Sequence, residues 1–187
     1  MIRKFGGVAG VDGQPQGIDI GVGGSNIKSI QNGVSSMGTG VGYIDVTISA
    51  IDITKTVVIV TDGYETSGNY PYDGYCKMIA WAINSTTIRI VRGVTNANVN
   101  NINWQVIEFN NVKSLQTGGM SLYVSNGDLT VNQYDPAKSI LIYSYNLSTT
   151  TNSDYTVSLF KNGSNKIGYK SFSSYSVSVR WQLIEFN

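Results

Sequence analysis

The sequence predicts an all-β protein, with two tandem antiparallel β-sandwich domains behind a glycine-rich N-terminal arm. Three observations carry this prediction: an internal repeat, short stretches in which apolar and polar residues alternate, and Gly, Asn and Ser turns between those stretches. The heptapeptide WQVIEFN at 104–110 returns at 181–187 as WQLIEFN. A match of that density indicates a tandem duplication.

Two further pairs of segments extend the repeat. The segment NIKSIQNG at 26–33 opens the first copy, and NVKSLQTG at 111–118 opens the second. Between opening and closing segments, the acidic and basic residues of one copy match those of the other in the same order: Asp45, Asp52 and Lys55 match Asp128, Asp135 and Lys138. We therefore predict an arm at 1–24, a first domain at 25–110 and a second at 111–187. The extra length of the first copy is placed in the loop at 61–75.

The arm at 1–24 contains eight glycines and almost no apolar periodicity. By itself it has too little apolar surface to offset its backbone entropy. We expect the arm to be held by a partner, and packing back on its own domain is the alternative.

Strand patterns follow the arm. Residues 44–49 alternate apolar and polar side chains, and the continuous apolar run at 56–60 predicts a central strand. Residues 78–83 and 87–92 flank a turn and predict a hairpin, and Asn162-Gly163 predicts a matching hairpin in the second copy. Each domain then has about six short strands and no amphipathic helix.

The closing heptapeptides present two faces if they are strands. Trp104 and Trp181 share a face with Glu108 and Glu185, and this face is expected to be the core. The opposite face carries Phe109 in the first copy and Phe186 in the second, so it needs a second cover: the neighbouring domain, a bulge or another subunit.

The two glutamates lie among apolar residues, where an unpaired carboxylate is costly. Lys28 and Lys113 occupy matching positions in the opening segments. We predict two structural ion pairs, Lys28 with Glu108 and Lys113 with Glu185. A catalytic role for the glutamates is disfavoured because they lie in different domains, whereas hydrolytic carboxylate pairs flank one bond.

Composition argues against several classes of function. Thirteen basic and twelve acidic residues leave a net charge of +1 with no basic run, which disfavours nucleic-acid binding. No stretch has the length of a membrane span, and no apolar h-region follows the basic residues near the N-terminus. The sequence has no histidine, and Cys76 is its only cysteine, which we expect to be a small buried side chain. We expect no enzyme activity, no cofactor and no metal.

One loop has the composition of a binding surface. Residues 62–75 place four tyrosines among carboxylates and amides: Tyr64, Tyr70, Tyr72 and Tyr75. Such side chains can stack on sugar rings and bond sugar hydroxyls. They are equally suited to contact with a neighbouring subunit, and both interpretations remain open.

The opening, central, hairpin and closing segments together resemble a small β-domain of phage and prophage proteins. The segments that carry the likeness are KSIQNG at 28–33, DITKTVVIV at 52–60, NSTTIR at 84–89 and NWQVIEF at 103–109. It covers the first copy well and the second more weakly, because 161–170 departs from the hairpin pattern. A more distant likeness is to the H-type lectins, whose six-stranded sandwich domains trimerise through their edges.

The resemblance implies a virion accessory protein and transfers no catalytic residue. We therefore expect a non-enzymatic phage structural protein located in the virion, either a capsid decoration or head fibre or a neck or tail appendage. Its expected partners are other virion proteins, bound through 1–24, and further copies of itself, for which a trimer is one possibility. The alternative is a host-receptor or carbohydrate-binding module of a phage tail, which would bind bacterial surface glycans.

Overall fold

The computed structural model describes residues 26–65, 77–95, 99–123, 125–148, 156–172 and 175–187, with Tyr64 and Glu65 described by backbone only. Within these ranges the chain forms strands and a single 3-10 turn at Pro136–Lys138. The strands of the first repeat are β1 (Ile27–Met37), β2 (Tyr43–Thr47), β3 (Thr56–Val60), β4 (Tyr64–Glu65), β5 (Met78–Asn84), β6 (Thr87–Arg92) and β7 (Val99–Phe109). Those of the second are β8 (Val112–Leu122), β9 (Ser125–Thr130), β10 (Ser139–Leu147), β11 (Thr156–Lys161), β12 (Lys166–Phe172) and β13 (Val177–Phe186).

The strands form four antiparallel sheets, two from each repeat. Sheet A has the order β1-β7-β3, with β4 also paired to β7, and sheet B has the order β2-β6-β5. Sheet C has the order β10-β13-β8, and sheet D has the order β11-β12-β9. No strand pairing in the described ranges joins the two repeats, so each repeat is a separate pair of sheets. We call residues 26–110 the first unit and residues 111–187 the second unit.

Two hydrophobic cores follow the same division. The first is built from residues between Met37 and Val106, and the second from residues between Leu122 and Leu183. Trp104 and Trp181 each belong to the core of their own unit, as the alternation along the closing strands predicts. The all-β sandwich fold expected from the sequence is therefore confirmed.

Both predicted hairpins are present. In the first unit β5 and β6 pair on either side of the turn at Ser85 and Thr86, with Asn84 Oδ1 accepting a 2.8 Å hydrogen bond from the Thr86 amide. In the second unit β11 and β12 pair around Asn162-Gly163. Gly163 has a φ of 75°, a left-handed conformation that glycine adopts without a steric cost.

The prediction that residues 56–60 form a central strand is wrong. Strand β3 pairs only with β7 in the described chain and is the edge of sheet A, yet Val57 and Val58 are 0 % and 3 % exposed. Val58 faces the core of the first unit, so Val57 faces outward. A continuous apolar run marks a strand buried on both faces, and here the second unit supplies the second cover.

The two units meet along the β3 and β5 edges of the first and the outward face of sheet C in the second. Strand β10 approaches β3, β5 and β6, and β13 approaches β5. Val57, Ile79 and Ile184 are buried although they belong to neither core. We call this contact the junction. A connection of two residues, Asn110 and Asn111, joins β7 to β8 beside it.

Candidate functional site

The Glu108 carboxylate binds three segments of the first unit together. Its Oε1 accepts hydrogen bonds from Lys28 Nζ at 2.8 Å and from the Asp52 amide at 3.0 Å, and its Oε2 accepts one from Ser29 Oγ at 3.3 Å. Glu108 is 2 % exposed, whereas the Lys28 side chain is 57 % exposed. The carboxylate on β7 therefore fixes β1 and the turn before β3, and the lysine reaches it from the surface.

The Glu185 carboxylate repeats this arrangement in the second unit. Its Oε1 accepts from Lys113 Nζ at 2.8 Å and from the Asp135 amide at 3.0 Å, and its Oε2 accepts from Ser114 Oγ at 3.2 Å. Glu185 is 1 % exposed. Both predicted ion pairs are confirmed, and we call these two clusters the glutamate anchors.

The environment of each anchor keeps its carboxylate ionised. Burial works to raise the pKa of Glu108, but the hydrogen bonds from Lys28 and the Asp52 amide and the charge of Lys28 outweigh it, so the pKa lies below its ordinary value. The hydrogen bond from Lys113 is the largest effect on Glu185 and lowers its pKa against the opposing effect of burial. A general acid needs a raised pKa and access to substrate, so these glutamates are suited to holding structure.

The turns that bind the two glutamates, before β3 and before β10, are built from matching side chains. Thr54 N donates to Asp52 Oδ1 at 3.0 Å in the first unit, and Ala137 N donates to Asp135 Oδ1 at 2.8 Å in the second. Each aspartate is thus fixed by its backbone amide to the glutamate and by its side chain to the following turn. This is the physical reason for the Asp repeat that the sequence shows.

A glutamine in each opening strand forms a second repeated clasp. The Gln31 side chain donates to Ser49 O at 3.1 Å and accepts from Ser49 N at 2.7 Å. The Gln116 side chain makes the same two bonds with Asn132, at 3.0 and 2.7 Å. An extended segment at the edge of a sheet leaves backbone N–H and C=O groups unpaired. A side-chain amide can bond one of each at the same time, because it has both a donor and an acceptor.

Each core tryptophan lies across a glycine of the opening strand. Trp104 is opposite Gly33 in the β1–β7 register, and Trp181 is opposite Gly118 in the β8–β13 register. A Cβ atom at Gly33 would be 2.3 Å from Trp104 Cζ2, and one at Gly118 would be 2.5 Å from Trp181 Cζ2. The glycine ending each opening segment therefore makes room for an indole ring.

The junction contains a third glutamine clasp, and it crosses between the units. Gln182 Oε1 accepts from the Val58 amide at 2.8 Å, and Gln182 Nε2 donates to Val58 O at 2.7 Å. Gln182 is 6 % exposed. These two bonds satisfy the outward backbone groups of the edge strand β3, which would otherwise be buried without partners.

Aromatic contacts lie on both sides of this clasp. The Arg180 guanidinium is 4.1 Å from the centroid of the Trp81 ring, a cation–π contact between β13 and β5. Phe109 and Phe186 pack edge to face with their centroids 5.2 Å apart. Of the covers considered for the closing strands, the neighbouring unit covers the outward face of β13, where Gln182 and Ile184 are buried, whereas Gln105 on the outward face of β7 is exposed.

A small groove opens at the junction. Its lining includes Ile53, Trp81, Thr117, Arg180 and Gln182, and its volume is about 140 Å³. Ligand sites for drug-sized molecules are typically about 300–1,000 Å³. The Trp81 ring is also already stacked with Arg180. The groove is therefore smaller than a typical site for a drug-sized ligand, and its aromatic ring already takes part in the junction.

The tyrosine loop is described only where it begins. Tyr64 lies in β4, opposite Asn100 of β7. Tyr70, Tyr72 and Tyr75 lie outside the described residues, as do Cys76 and the arm at 1–24. The proposed loop surface and the docking of the arm therefore stay predictions.

The sequence pattern identified the anchors but not the Gln182 clasp. Gln182 and Gln105 occupy the same place in the repeated heptapeptide, yet Gln105 is exposed. The available signal was the apolar run at 56–60, which indicates that β3 has a second cover.

The described residues show neither a metal-binding cluster nor a candidate membrane-spanning helix. They bring no three Cys, Asp or Glu side chains together in a geometry that could hold a metal ion. They also contain no helix of the length and apolar character that crossing a membrane requires.

Comparison with known proteins gives no relative. No protein-family model matches the chain, and neither the curated proteins nor the solved structures include a match. Function is therefore argued from the residues and their geometry.

Proposed function

We propose that this chain is a non-enzymatic structural protein of a phage virion. Its arm at 1–24 docks on the particle, and its two β-sandwich units project from it as a capsid decoration or head fibre, or as a neck or tail appendage. The partners are other virion proteins and further copies of the chain.

The observation that carries this proposal is the use made of the repeated polar residues. Glu108, Glu185, Gln31 and Gln116 each bond to backbone or to a neighbouring side chain within their own unit. Both glutamates also have a lowered pKa. The duplication has therefore repeated a scaffold, which is what a structural component requires. The likeness of 28–33, 52–60 and 103–109 to a phage β-domain supplies the virion setting.

Deletion of residues 1–24 tests the docking step. The full chain and the deletion variant, each with a C-terminal tag, would be produced in bacteria in which the corresponding phage is growing. Particles would then be purified on a density gradient and probed for the tag. We expect the full chain in the particle fraction and the deletion variant only in the free protein. A full chain that never sediments with particles would refute the virion role.

A glycan-binding module of a phage tail is the second candidate. Its support is the composition of 62–75 and the pairing of Tyr64 with Asn100, near the N-terminal end of β7. Tyr70→Ala and Tyr72→Ala should then abolish binding on an array of bacterial surface glycans, and the deletion of 1–24 should leave it intact. An array without any signal for the full chain would eliminate this candidate.

A further inference from the structure

Three Asn-Gly pairs occur in the sequence: Asn32-Gly33, Asn126-Gly127 and Asn162-Gly163. In this dipeptide an asparagine loses its side-chain amide most readily, because glycine has no side chain to hinder attack by its backbone nitrogen. All three asparagines are exposed. The first two pairs lie within β1 and β9, and the third lies in the turn between β11 and β12. The fold therefore gives the same dipeptide three different surroundings.

The backbone nitrogen of Gly33 is held in sheet A. The N–H and C=O of Val58 point away from β7, to the second unit. Val58 is opposite Val106, so the N–H and C=O of Val106 point to β1, where its partner is Gln31. Residues two positions apart on a strand point the same way, so Gly33 donates its N–H to Trp104 O.

The backbone nitrogen of Gly127 is held in sheet D. Asn162 N donates to Lys166 O at 3.0 Å, so the C=O of Lys166 points to the β11 side of β12. Ile167 is the next residue, and its N–H and C=O therefore point to β9, as do those of Tyr169 two residues further. Tyr169 is opposite Gly127, so Gly127 donates its N–H to Tyr169 O.

The backbone nitrogen of Gly163 is free to react. No hydrogen bond within the described ranges uses the Gly163 N–H, and the residue is exposed. A Cβ atom at this position would meet no other atom within 4 Å, so the surroundings of the turn are open. Of the three glycine nitrogens, this one is accessible to solvent and has no acceptor to leave before it attacks.

We propose that Asn162 is a site of spontaneous deamidation, and that the reaction releases β9 from the hairpin turn. The Gly163 nitrogen loses its proton and forms a bond to Cγ of Asn162, while the Cγ–Nδ2 bond breaks and Nδ2 leaves as ammonia. Water then opens the cyclic imide. Cleavage of the new N–Cγ bond gives aspartate, and cleavage of the backbone C–N bond gives isoaspartate. The reaction consumes water and releases ammonia, and it needs no other reactant.

The reaction removes a hydrogen-bond donor from Asp128. Asn162 Nδ2 donates to Asp128 Oδ1 at 2.7 Å, and the product has a carboxylate in place of this amide. Lys166 Nζ remains as the second partner of Asp128, at the longer distance of 3.4 Å. Asp128 lies on β9, which is an edge of sheet D in the described chain. An edge strand therefore exchanges its shorter side-chain bond to the turn for a repulsion between two carboxylates.

The first unit does not depend on such a contact. Its equivalent aspartate, Asp45, accepts hydrogen bonds from Arg89 Nε and Nη2 at 2.7 and 2.8 Å. Arg89 is the residue opposite Asp45, whereas Gly168 is the residue opposite Asp128. Because glycine offers no side-chain donor, the second unit holds its aspartate through the turn. The inference does not depend on the virion role.

Peptide mapping by mass spectrometry tests the site. The folded full chain, and the same chain unfolded in guanidinium chloride, would be kept in warm, mildly alkaline buffer and sampled over weeks. In the folded chain the gain of about 1 Da that marks deamidation should appear at Asn162 about tenfold sooner than at Asn32 or Asn126. In the unfolded chain the three asparagines should react at similar rates, because no strand bonds remain. Equal rates in the folded chain, or the same preference for Asn162 in the unfolded chain, would overturn the proposal.

Two full-chain variants test the release of β9. Asn162→Asp places the product carboxylate beside Asp128. Asn165→Asp adds the same charge in the same turn and is the control, because Asn165 is exposed and its hydrogen bond to Val131 N uses the backbone C=O. Amide hydrogen exchange in β9 should be about three- to tenfold faster in Asn162→Asp than in the unaltered chain, and unchanged in the control. Equal exchange in the two variants would refute the release of β9.

Discussion

Gln182 of the second unit forms both of its side-chain hydrogen bonds, at 2.8 and 2.7 Å, with the backbone of Val58 in the first unit. The two residues are 124 positions apart in the sequence. The Gln182 amide thereby makes the backbone hydrogen bonds that a neighbouring strand would make at the edge of sheet A. The second unit thus supplies the missing partners of an edge strand in the first unit.

Replacing Gln182 should therefore destabilise the protein well beyond the loss of one surface contact. In Gln182→Ala the amide and carbonyl of Val58 stay buried without partners, at about 1–3 kcal/mol each. We expect the free energy of unfolding, measured with urea by circular dichroism, to fall by about 2–5 kcal/mol. Gln133→Ala, at an exposed position, is the control and should change it by less than about 0.5 kcal/mol. Equal effects of the two substitutions would contradict this account of the clasp.

The Glu108 anchor predicts a loss of stability in acid. Because the folded pKa of Glu108 lies below the ordinary 4.5, its contribution is present above that pH and is lost as the pH falls through the folded pKa. At neutral pH Glu108→Gln should lower the unfolding free energy by about 1.5–3 kcal/mol, because hydrogen bonds to a charged group are replaced by neutral ones. Below the folded pKa the difference should shrink. A difference that stays constant between pH 7 and pH 3 would exclude ionisation as its cause.

Removing the lysine separates charge from burial at the same site. In Lys28→Met the Glu108 carboxylate keeps its hydrogen bonds from the Asp52 amide and the Ser29 hydroxyl. It loses the hydrogen bond from Lys28, which lowers its pKa more than any other contact, so the pKa of Glu108 should rise. Acid unfolding should then begin at a higher pH than in the unaltered chain, as followed by tryptophan fluorescence. Lys113→Met should shift it in the same direction through Glu185. An unchanged acid transition in both variants would show that the lysines contribute nothing to these anchors.

The sequence predicted what depends on short-range pattern. Period-two alternation placed Trp104 and Glu108 on one face, and the matching positions of the lysines in the repeat predicted the pairing of Lys28 with Glu108, so the core faces and both ion pairs could be derived. The Gln182 clasp could not, because Gln105 has the same neighbours and a different environment. The burial of Val57 by the second unit could not be predicted either, since an apolar run covered within its own domain and an apolar run covered by another unit have the same composition.

The two glycines under the indole rings should tolerate no side chain. In Gly33→Ala and Gly118→Ala the new Cβ would be 2.3 and 2.5 Å from a tryptophan ring carbon, so the ring must move within a packed core. We expect each substitution to lower the unfolding free energy by about 1–3 kcal/mol in urea titrations. Gly42→Ala is the control, because its Cβ would meet only Thr95 Cγ2, at 3.7 Å.

A double-substitution cycle shows whether the ring causes this cost. Trp104→Leu removes the indole, so Gly33→Ala should cost less in that background than in the unaltered chain. Additive effects would mean that strand backbone, rather than the ring, opposes the side chain at Gly33.

The stacking of Arg180 on Trp81 gives a local test of the junction. Arg180→Ala removes both the charge and the planar group over the ring, and Arg180→Lys keeps the charge alone. We expect Arg180→Ala to lower the unfolding free energy by about 0.5–2 kcal/mol, with Arg180→Lys intermediate. Because the Arg180 guanidinium lies 4.1 Å from the centroid of the indole ring, Arg180→Ala should also change the fluorescence of Trp81 in the folded protein, before unfolding begins.

Trp81→Phe is the control for this contact. It should remove the spectral change and weaken the effect of Arg180→Ala, since phenylalanine offers a weaker π surface to a cation. If Arg180→Ala leaves both the native fluorescence and the stability unaltered, the cation–π contact does not hold the junction.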